Sequence, residues 1–92
     1  MKVNFYATLR DITGAKTVEF DPLACATVRC LIDAMVARFP ALREKLLQDS
    51  GDLWGHVHIF INGRDARFLD NTLDAEIQPT DIVSVFPAVG GG

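Results

Sequence analysis

Apolar and polar residues alternate at the start of the chain. Between positions 2 and 10 one set of alternate residues is apolar, namely Val3, Phe5, Ala7 and Leu9. This period of two predicts a half-buried strand. The alternation resumes over residues 17–20, after turn-forming residues at 13–16. The first twenty residues are therefore predicted to form an antiparallel hairpin.

The next periodicity is helical. After Thr27, apolar residues recur at spacings of three and four, namely Val28, Leu31, Ile32, Met35, Val36 and Phe39. This spacing predicts one apolar helix face, with Thr27 as the N-cap and Pro40 as the stop. Pro40 also suits the first turn of a second, shorter helix through Leu47. Residues 48–52 have the composition of an exposed loop.

Period-two alternation returns at residues 56–61 and 82–86 and predicts two more strands. Asn62-Gly63 is typical of a two-residue hairpin turn. A short strand around 67–69 is expected to pair back across it. The elements fit an α+β domain with the β-grasp, or ubiquitin-like, arrangement. In it a mixed sheet of about five strands has parallel first and last strands, and one face carries a main helix and a short second helix.

Strand parity also predicts which side chains avoid the helices. Suppose that three sets of residues face the core, namely Val3, Phe5, Ala7 and Leu9, then Val57, Ile59 and Ile61, and finally Val83 and Val85. The rings of Tyr6, Phe60 and Phe86 then share the other side of the sheet, here called the open face. An exposed apolar patch of this kind is typical of a partner-binding surface. The alternative is that the loop 48–55, with Trp54, folds over part of this face and buries it.

Composition narrows the class of protein. The 92 residues, 49% of them apolar, suffice for one domain. Nine basic residues against twelve acidic ones give a net charge of −3, which argues against a nucleic-acid partner. No apolar run reaches the 18 or so residues that span a bilayer, so we expect a cytoplasmic protein without a membrane partner. Two cysteines are too few for a disulfide framework.

The body of the chain offers no active site. His56 and His58, two apart on a predicted strand, would share a face, but no third metal ligand stands beside them. Asp65 and the other turn aspartates are expected to bind nearby backbone rather than to act as an acid cluster. No phosphate-binding glycine loop or activated nucleophile is present. We therefore expect no metal, no stably bound cofactor and no catalysis by the chain alone.

The chain ends in three glycines after a short proline-containing spacer. One interpretation is a floppy end or an engineered remnant. The other is a flexible tail, residues 88–92, that follows a domain of residues 1–87. Glycine can enter a channel barely wider than a backbone, and six residues beyond Phe86 extend at most about 20 Å. A terminal carboxylate is a poor electrophile, so group transfer would need prior activation, most simply as an acyl-adenylate formed with ATP.

Three stretches and the ending carry a resemblance to a known family: Lys2–Arg10, Ile61–Gly63, Arg67–Leu69 and the Pro-x-Val-x-Gly-Gly sequence that ends at Gly92. The chain resembles the MoaD/ThiS family of ubiquitin-like sulfur carriers, and within it the small subunit of molybdopterin synthase. Two departures are Gly90, where a small non-glycine residue is commoner, and Thr80-Asp81, where Gly-Asp is usual.

The resemblance implies roles for individual residues. Gly91 and Gly92 match the terminal pair, and the Gly92 carboxylate would be adenylated and converted to a thiocarboxylate that donates sulfur in molybdopterin biosynthesis. Face assignment and resemblance together predict the partner-binding residues Tyr6, Phe60, Phe86, Pro87, Val89 and Gly90.

The implied partners are a ubiquitin-activating-enzyme-like adenylyltransferase that consumes the ATP, the large subunit of molybdopterin synthase, and a sulfur donor such as a cysteine desulfurase or a rhodanese. Three alternatives remain open. The chain could modify proteins through an isopeptide bond from Gly92 to lysines, it could carry sulfur for thiamine, cysteine or tRNA thiolation, or it could be an interaction module with an inert tail.

Overall fold

The computed structural model describes residues 1–21 and 26–87. The predicted tail, residues 88–92, and Cys25 lie outside this part of the chain. The described strands and helices follow one another as β1 (Lys2–Phe5), α1 (Leu9–Thr13), β2 (Thr17–Glu19), α2 (Val28–Arg38), α3 (Leu42–Leu46), β3 (His58–Ile61), β4 (Arg64–Asp65) and β5 (Ile82–Phe86). Two short 3₁₀ turns, Ala66–Phe68 and Thr72–Asp74, lie between β4 and β5.

The sheet has the strand order β2-β1-β5-β3-β4. Its central pair, β1 and β5, is parallel, and the other three pairs are antiparallel. A parallel pair requires the chain to cross over between its two strands, and here the crossing includes α2. This mixed five-strand sheet with one main helix confirms the predicted β-grasp fold.

The core lies between α2 and one face of the sheet. Four residues of α2 are buried at the predicted spacing, namely Val28, Leu31, Ile32 and Met35. They belong to one cluster with the inward-facing residues of the central strands, namely Val3, Phe5, Ile59, Val83 and Val85. The parity assigned to these strands is therefore confirmed.

The first predicted strand is too long. The strand β1 ends at Phe5, and Ala7, with φ of +54°, turns the chain into α1. Ala7 is consequently exposed rather than inward-facing, whereas Leu9 is fully buried. Because Leu9 reaches the core from a helix as well as it would from a strand, its apolar character does not distinguish the two. The predicted antiparallel pairing of β1 with residues 17–19 is confirmed.

Both predicted ends of the main helix are confirmed. The Thr27 side chain accepts a hydrogen bond from the Cys30 backbone N–H at 3.1 Å, as an N-cap does. The helix ends at Arg38, and Pro40 follows its C-cap. The second helix, α3, starts and stops slightly inside its predicted range.

The predicted Asn62-Gly63 turn joins β3 to β4, and both residues have positive φ, at +53° and +85°. That pair of angles is required at the centre of a type I′ turn. The strand predicted around 67–69 is wrong, because pairing stops at Asp65 and a 3₁₀ turn follows. The Asp65 carboxylate accepts a hydrogen bond from the Arg67 backbone N–H at 2.9 Å, which bends the chain away from the sheet.

Within residues 1–21 and 26–87, no helix has the length and apolar character needed to cross a membrane.

Candidate functional site

Three aromatic rings meet on the open face at one end of β5. Tyr6 stacks on Phe86 with ring centroids 4.3 Å apart and planes 10° apart. Phe60 meets Phe86 edge to face, with centroids 5.3 Å apart. All three side chains remain partly exposed. The structure thus brings together the three aromatic residues that strand parity assigned to this face, here called the aromatic cluster.

The sheet fixes the position of each ring. Phe86 is the last residue of β5 and lies opposite His58 of β3, while Phe60 lies opposite Ser84. Tyr6 follows the end of β1, but its backbone N–H still donates to the Val85 carbonyl at 3.2 Å. That hydrogen bond holds the Tyr6 ring beside Phe86. The cluster therefore lies directly before Pro87, the last described residue.

A guanidinium borders the cluster. Arg10 Nε donates to the Phe5 carbonyl at 3.0 Å, and the guanidinium carbon lies 5.5 Å from the centre of the Tyr6 ring. Arg10 itself is exposed. A cation over a ring face is attracted by the ring quadrupole, so Arg10 both supports Tyr6 and places a positive charge at the rim.

The loop predicted as a cover does not lie over the aromatic cluster. The Trp54 indole N–H donates to the Glu44 carbonyl of α3 at 3.1 Å, and the ring stacks on His56. Trp54 remains 38% exposed. These contacts place the Trp54 ring against α3 and His56, and the rings of Tyr6, Phe60 and Phe86 stay partly exposed.

His58, Asp65 and Arg67 form a polar cluster at the edge of the open face. Asp65 Oδ2 lies 2.8 Å from His58 Nδ1, within hydrogen-bonding distance. Arg67 Nη1 lies 3.2 Å from the same nitrogen, and Arg67 Nη2 donates to the Trp54 carbonyl at 2.7 Å. Arg67 thus links the end of the loop to β3 and β4.

The surroundings of Asp65 favour its charged form. Partial burial alone would raise the pKa of this carboxyl. The hydrogen bond from the Arg67 backbone, followed by the hydrogen bond and charge of His58 and the charge of Arg67, outweighs burial and lowers the pKa below its usual value of 3.8. The expectation that Asp65 binds local backbone is confirmed, but its contact with His58 was not predicted.

An open groove of about 290 Å³ lies on the other side of Pro87. It is lined by Thr8, Glu44, Lys45, Trp54, His56 and Pro87. His56 precedes the start of β3, so the predicted pairing of the two histidines on one strand is wrong. Pro87, predicted to bind a partner, is itself buried at the base of this groove.

Val89, Gly90, Gly91 and Gly92 lie outside the described residues. Among residues 1–21 and 26–87, no three His, Cys, Asp or Glu side chains are grouped so that they could hold a metal ion. The described site consists of aromatic, basic and polar side chains close to Pro87, the last described residue.

The sequence profile of the ThiS family matches residues 3–92. The chain belongs to the ThiS family. This ThiS-family chain is 33% identical to small archaeal modifier protein 1 of Haloferax volcanii over 92 residues, which cover the whole of both chains. The crystal structure of that relative superposes with a TM-score of 0.84 at 32% identity, covering 99% of this chain and 97% of the other.

Two further solved structures are similar to this ThiS-family chain. A chain of the Amycolatopsis orientalis BexX/CysO complex has a TM-score of 0.82 and 32% identity, with 99% and 98% of the two chains covered. A Pyrococcus furiosus protein with the provisional name molybdopterin converting factor, subunit 1, has a TM-score of 0.73 and 29% identity, with 96% and 95% covered. The chain is thus a ubiquitin-like protein of the sulfur-carrier and small-modifier type, a family that works with activating and sulfur-transfer partners.

Proposed function

We propose that this protein is a sulfur carrier whose Gly92 carboxylate is adenylated and then converted to a thiocarboxylate. The observation that carries the proposal is the aromatic cluster, which lies directly before the C-terminal segment that ends in glycines. The ThiS family profile matches the chain through residue 92. The chain would bind the activating enzyme and supply the reacting carboxylate, while that enzyme binds and consumes ATP.

The aromatic cluster suits the docking part of this function. Its rings are partly exposed and fixed by mutual contact, so little side-chain entropy is lost when a partner covers them. Five residues follow Pro87, and an extended chain of that length spans at most about 17 Å. A partner docked on the cluster could therefore hold its ATP at that depth and receive Gly92.

The chemistry needs two partners in sequence. A Gly92 carboxylate oxygen attacks the α-phosphorus of ATP, pyrophosphate leaves, and an acyl-adenylate forms. Hydrosulfide then attacks the acyl carbon and displaces AMP, which leaves the thiocarboxylate. If a protein persulfide is the donor, its terminal sulfur displaces AMP instead. A second thiol must then reduce the resulting acyl disulfide to release the thiocarboxylate.

We propose the pterin precursor of the molybdenum or tungsten cofactor as the sulfur acceptor, with the large subunit of molybdopterin synthase as the receiving partner. The likeness to the Pyrococcus furiosus protein over almost the full length of both chains supports this choice. The thiocarboxylate sulfur would bond to a carbon of the precursor and form a thioester. Water would then attack the acyl carbon and break its bond to sulfur, which leaves the sulfur on the precursor and returns the Gly92 carboxylate for another cycle.

A second candidate is a protein modifier that uses the same activated terminus. A lysine amine would displace the leaving group from Gly92 and form an isopeptide bond. The full-length similarity to small archaeal modifier protein 1 favours this candidate. Both functions start from one acyl-adenylate, so one protein could perform both.

The first experiment tests activation. The purified chain is incubated with the cognate adenylyltransferase, ATP and sulfide, and its intact mass is measured. We expect a mass gain that matches the replacement of one oxygen by sulfur. A matched chain that lacks Gly91 and Gly92 should gain nothing. An unchanged mass of the full chain, with an enzyme proven active on another carrier, would contradict the proposal.

The second experiment separates the two uses of the activated terminus. The thiocarboxylated chain is mixed with the large synthase subunit and the pterin precursor, and dithiolene product is measured. In parallel, extracts of the host are probed for higher-mass species that depend on Gly92. Product without such species supports the carrier alone, and Gly92-dependent species without product support the modifier alone.

A further inference from the structure

The length of the segment after Pro87 limits how far from the domain a partner that binds Gly92 can be. Any enzyme that holds Gly92 must approach within the span of five residues, at most about 17 Å from Pro87. The entrance to its active site must therefore surround the point where the chain leaves the described domain. Side chains on both sides of Pro87 then fall within the area that the partner covers.

The aromatic cluster occupies only one of these sides. On the other side lies the groove lined by Thr8, Glu44, Lys45, Trp54, His56 and Pro87. Trp54 and His56 form one wall through their ring stack, with centroids 5.8 Å apart. Lys45, which is exposed, contributes a positive charge.

Arg67 holds the Trp54–His56 wall of the groove through a hydrogen bond to Trp54. Arg67 Nη2 donates to the Trp54 carbonyl at 2.7 Å, and the Trp54 indole N–H donates to the carbonyl of Glu44, which is a residue of the groove lining. The same guanidinium contacts His58, whose ring lies 6.2 Å from the Phe60 ring of the aromatic cluster. Arg67 therefore connects the groove wall with the docking face, although its own side chain lines neither the groove nor the cluster.

We propose that the adenylating enzyme contacts this groove as well as the aromatic cluster, and that Arg67 is a positioning residue that holds the Trp54–His56 wall for it. The inference rests on the proposed function, since it needs a partner that takes the C-terminus. The groove would be a second contact area for the enzyme, in addition to the aromatic cluster. Arg67 would change the affinity of the chain for the enzyme and not the chemistry at Gly92.

The test compares three variants in ATP–pyrophosphate exchange catalysed by the adenylating enzyme. Arg67→Met removes the hydrogen bond to the Trp54 carbonyl, Lys45→Met changes the groove directly, and Arg64→Met is a matched control on exposed β4. For the first two variants we expect the KM for the carrier to rise about tenfold, as for the loss of one interface contact, with kcat retained. The control should match wild type in both constants.

Fluorescence supplies a readout that partner binding does not influence. Trp54 is the chain's one tryptophan, so emission reports on the groove wall alone. Arg67→Met should shift the Trp54 emission to longer wavelength, Arg67→Lys should shift it less, and Lys45→Met should leave it nearer to wild type. The circular dichroism spectrum checks that each variant is folded, and Lys45→Met at an exposed position tests the groove even if Arg67→Met unfolds.

The outcomes separate this inference from the proposed function. If wild-type chain supports exchange but the KM of both Arg67→Met and Lys45→Met is unchanged, the groove proposal is wrong and the function stands. A loss of kcat at unchanged KM would also overturn it, because the groove would then act on the chemistry. No exchange with wild-type chain would overturn both.

Discussion

The charge of Asp65 is the clearest contribution of a single residue to stability. Its carboxylate binds the Arg67 backbone and the His58 ring, and its pKa is lowered in the folded protein. In the unfolded chain the pKa returns to its usual value, so the charged form stabilises the fold at every pH above that value. This contribution disappears as the pH falls through the lower folded-state pKa.

We therefore expect Asp65→Asn to reduce the free energy of unfolding at about pH 5, and the difference from wild type to shrink toward about pH 2. Urea unfolding across this range measures it. Asp65→Ala should lose a further ~0.5–2 kcal/mol at every pH, because alanine cannot cap the 3₁₀ turn. Asp74→Asn, at a largely exposed ion pair with Arg29, is the control and should change stability by less than about 1 kcal/mol. A difference that stays constant with pH would show that the Asp65 charge is not responsible.

Two neighbouring residues of β5 should separate stability from docking. Val85 is fully buried, whereas Phe86 faces the aromatic cluster. Val85→Ala should lower the free energy of unfolding by about 2 kcal/mol through lost burial. Phe86→Ala should cost less stability but raise the Kd for the adenylating enzyme at least tenfold, because the central ring of the cluster is gone. Calorimetry of unfolding and of binding measures both, and equal binding by Phe86→Ala would exclude the cluster as the docking surface.

Among the elements, α2 depends on its N-cap, Thr27. Thr27 accepts the Cys30 N–H, and alanine cannot. We expect Thr27→Ala to lower the free energy of unfolding by ~0.5–2 kcal/mol, and Thr27→Ser to stay near wild type because serine keeps the acceptor. Chemical denaturation of the three proteins tests this. An equal loss in Thr27→Ser would mean that the threonine methyl group, and not the cap, contributes the stability.

Helices, strands and turns were predictable from the sequence where their residue pattern is compatible with only one type of secondary structure. The six-residue series of α2 fits only a helix, and Asn62-Gly63 fits only a tight turn, so both are found where the sequence predicts them. The helix α1 was missed because Leu9 is buried in either a strand or a helix. The strand around 67–69 was wrong because one hydrogen bond from Arg67 to Asp65 bends the backbone there.

The candidate site was likewise predictable only where a periodic pattern exists. The alternation of the strands was enough to predict that Tyr6, Phe60 and Phe86 share one face, because each residue of a strand points to the side opposite its neighbour. The Arg67–Trp54 contact spans 13 positions and depends on the path of a loop, for which no periodicity exists. The groove beside Pro87 was missed for the same reason, as its lining comes from four separated parts of the chain.

For the whole molecule, β5 decides whether the chain folds. It lies between β1 and β3 at the centre of the sheet and contributes two fully buried valines. We expect a chain that ends at Pro87 to unfold at the same temperature as the full chain, and one that ends at Asp81 to show no cooperative unfolding. Thermal melts followed by circular dichroism distinguish them. A cooperative melt of the shorter chain would show that the core forms without β5.

The parallel pairing of β1 with β5 also orders events during protein synthesis. About 80 residues separate the two strands, so at ribosomal rates of roughly 5–20 residues per second β5 is synthesised about 4–16 s after β1. Until β5 is synthesised, the sheet that underlies the core lacks the strand that lies between β1 and β3. Phe86, the central ring of the aromatic cluster, belongs to β5, so the cluster forms only once this last strand has joined the sheet.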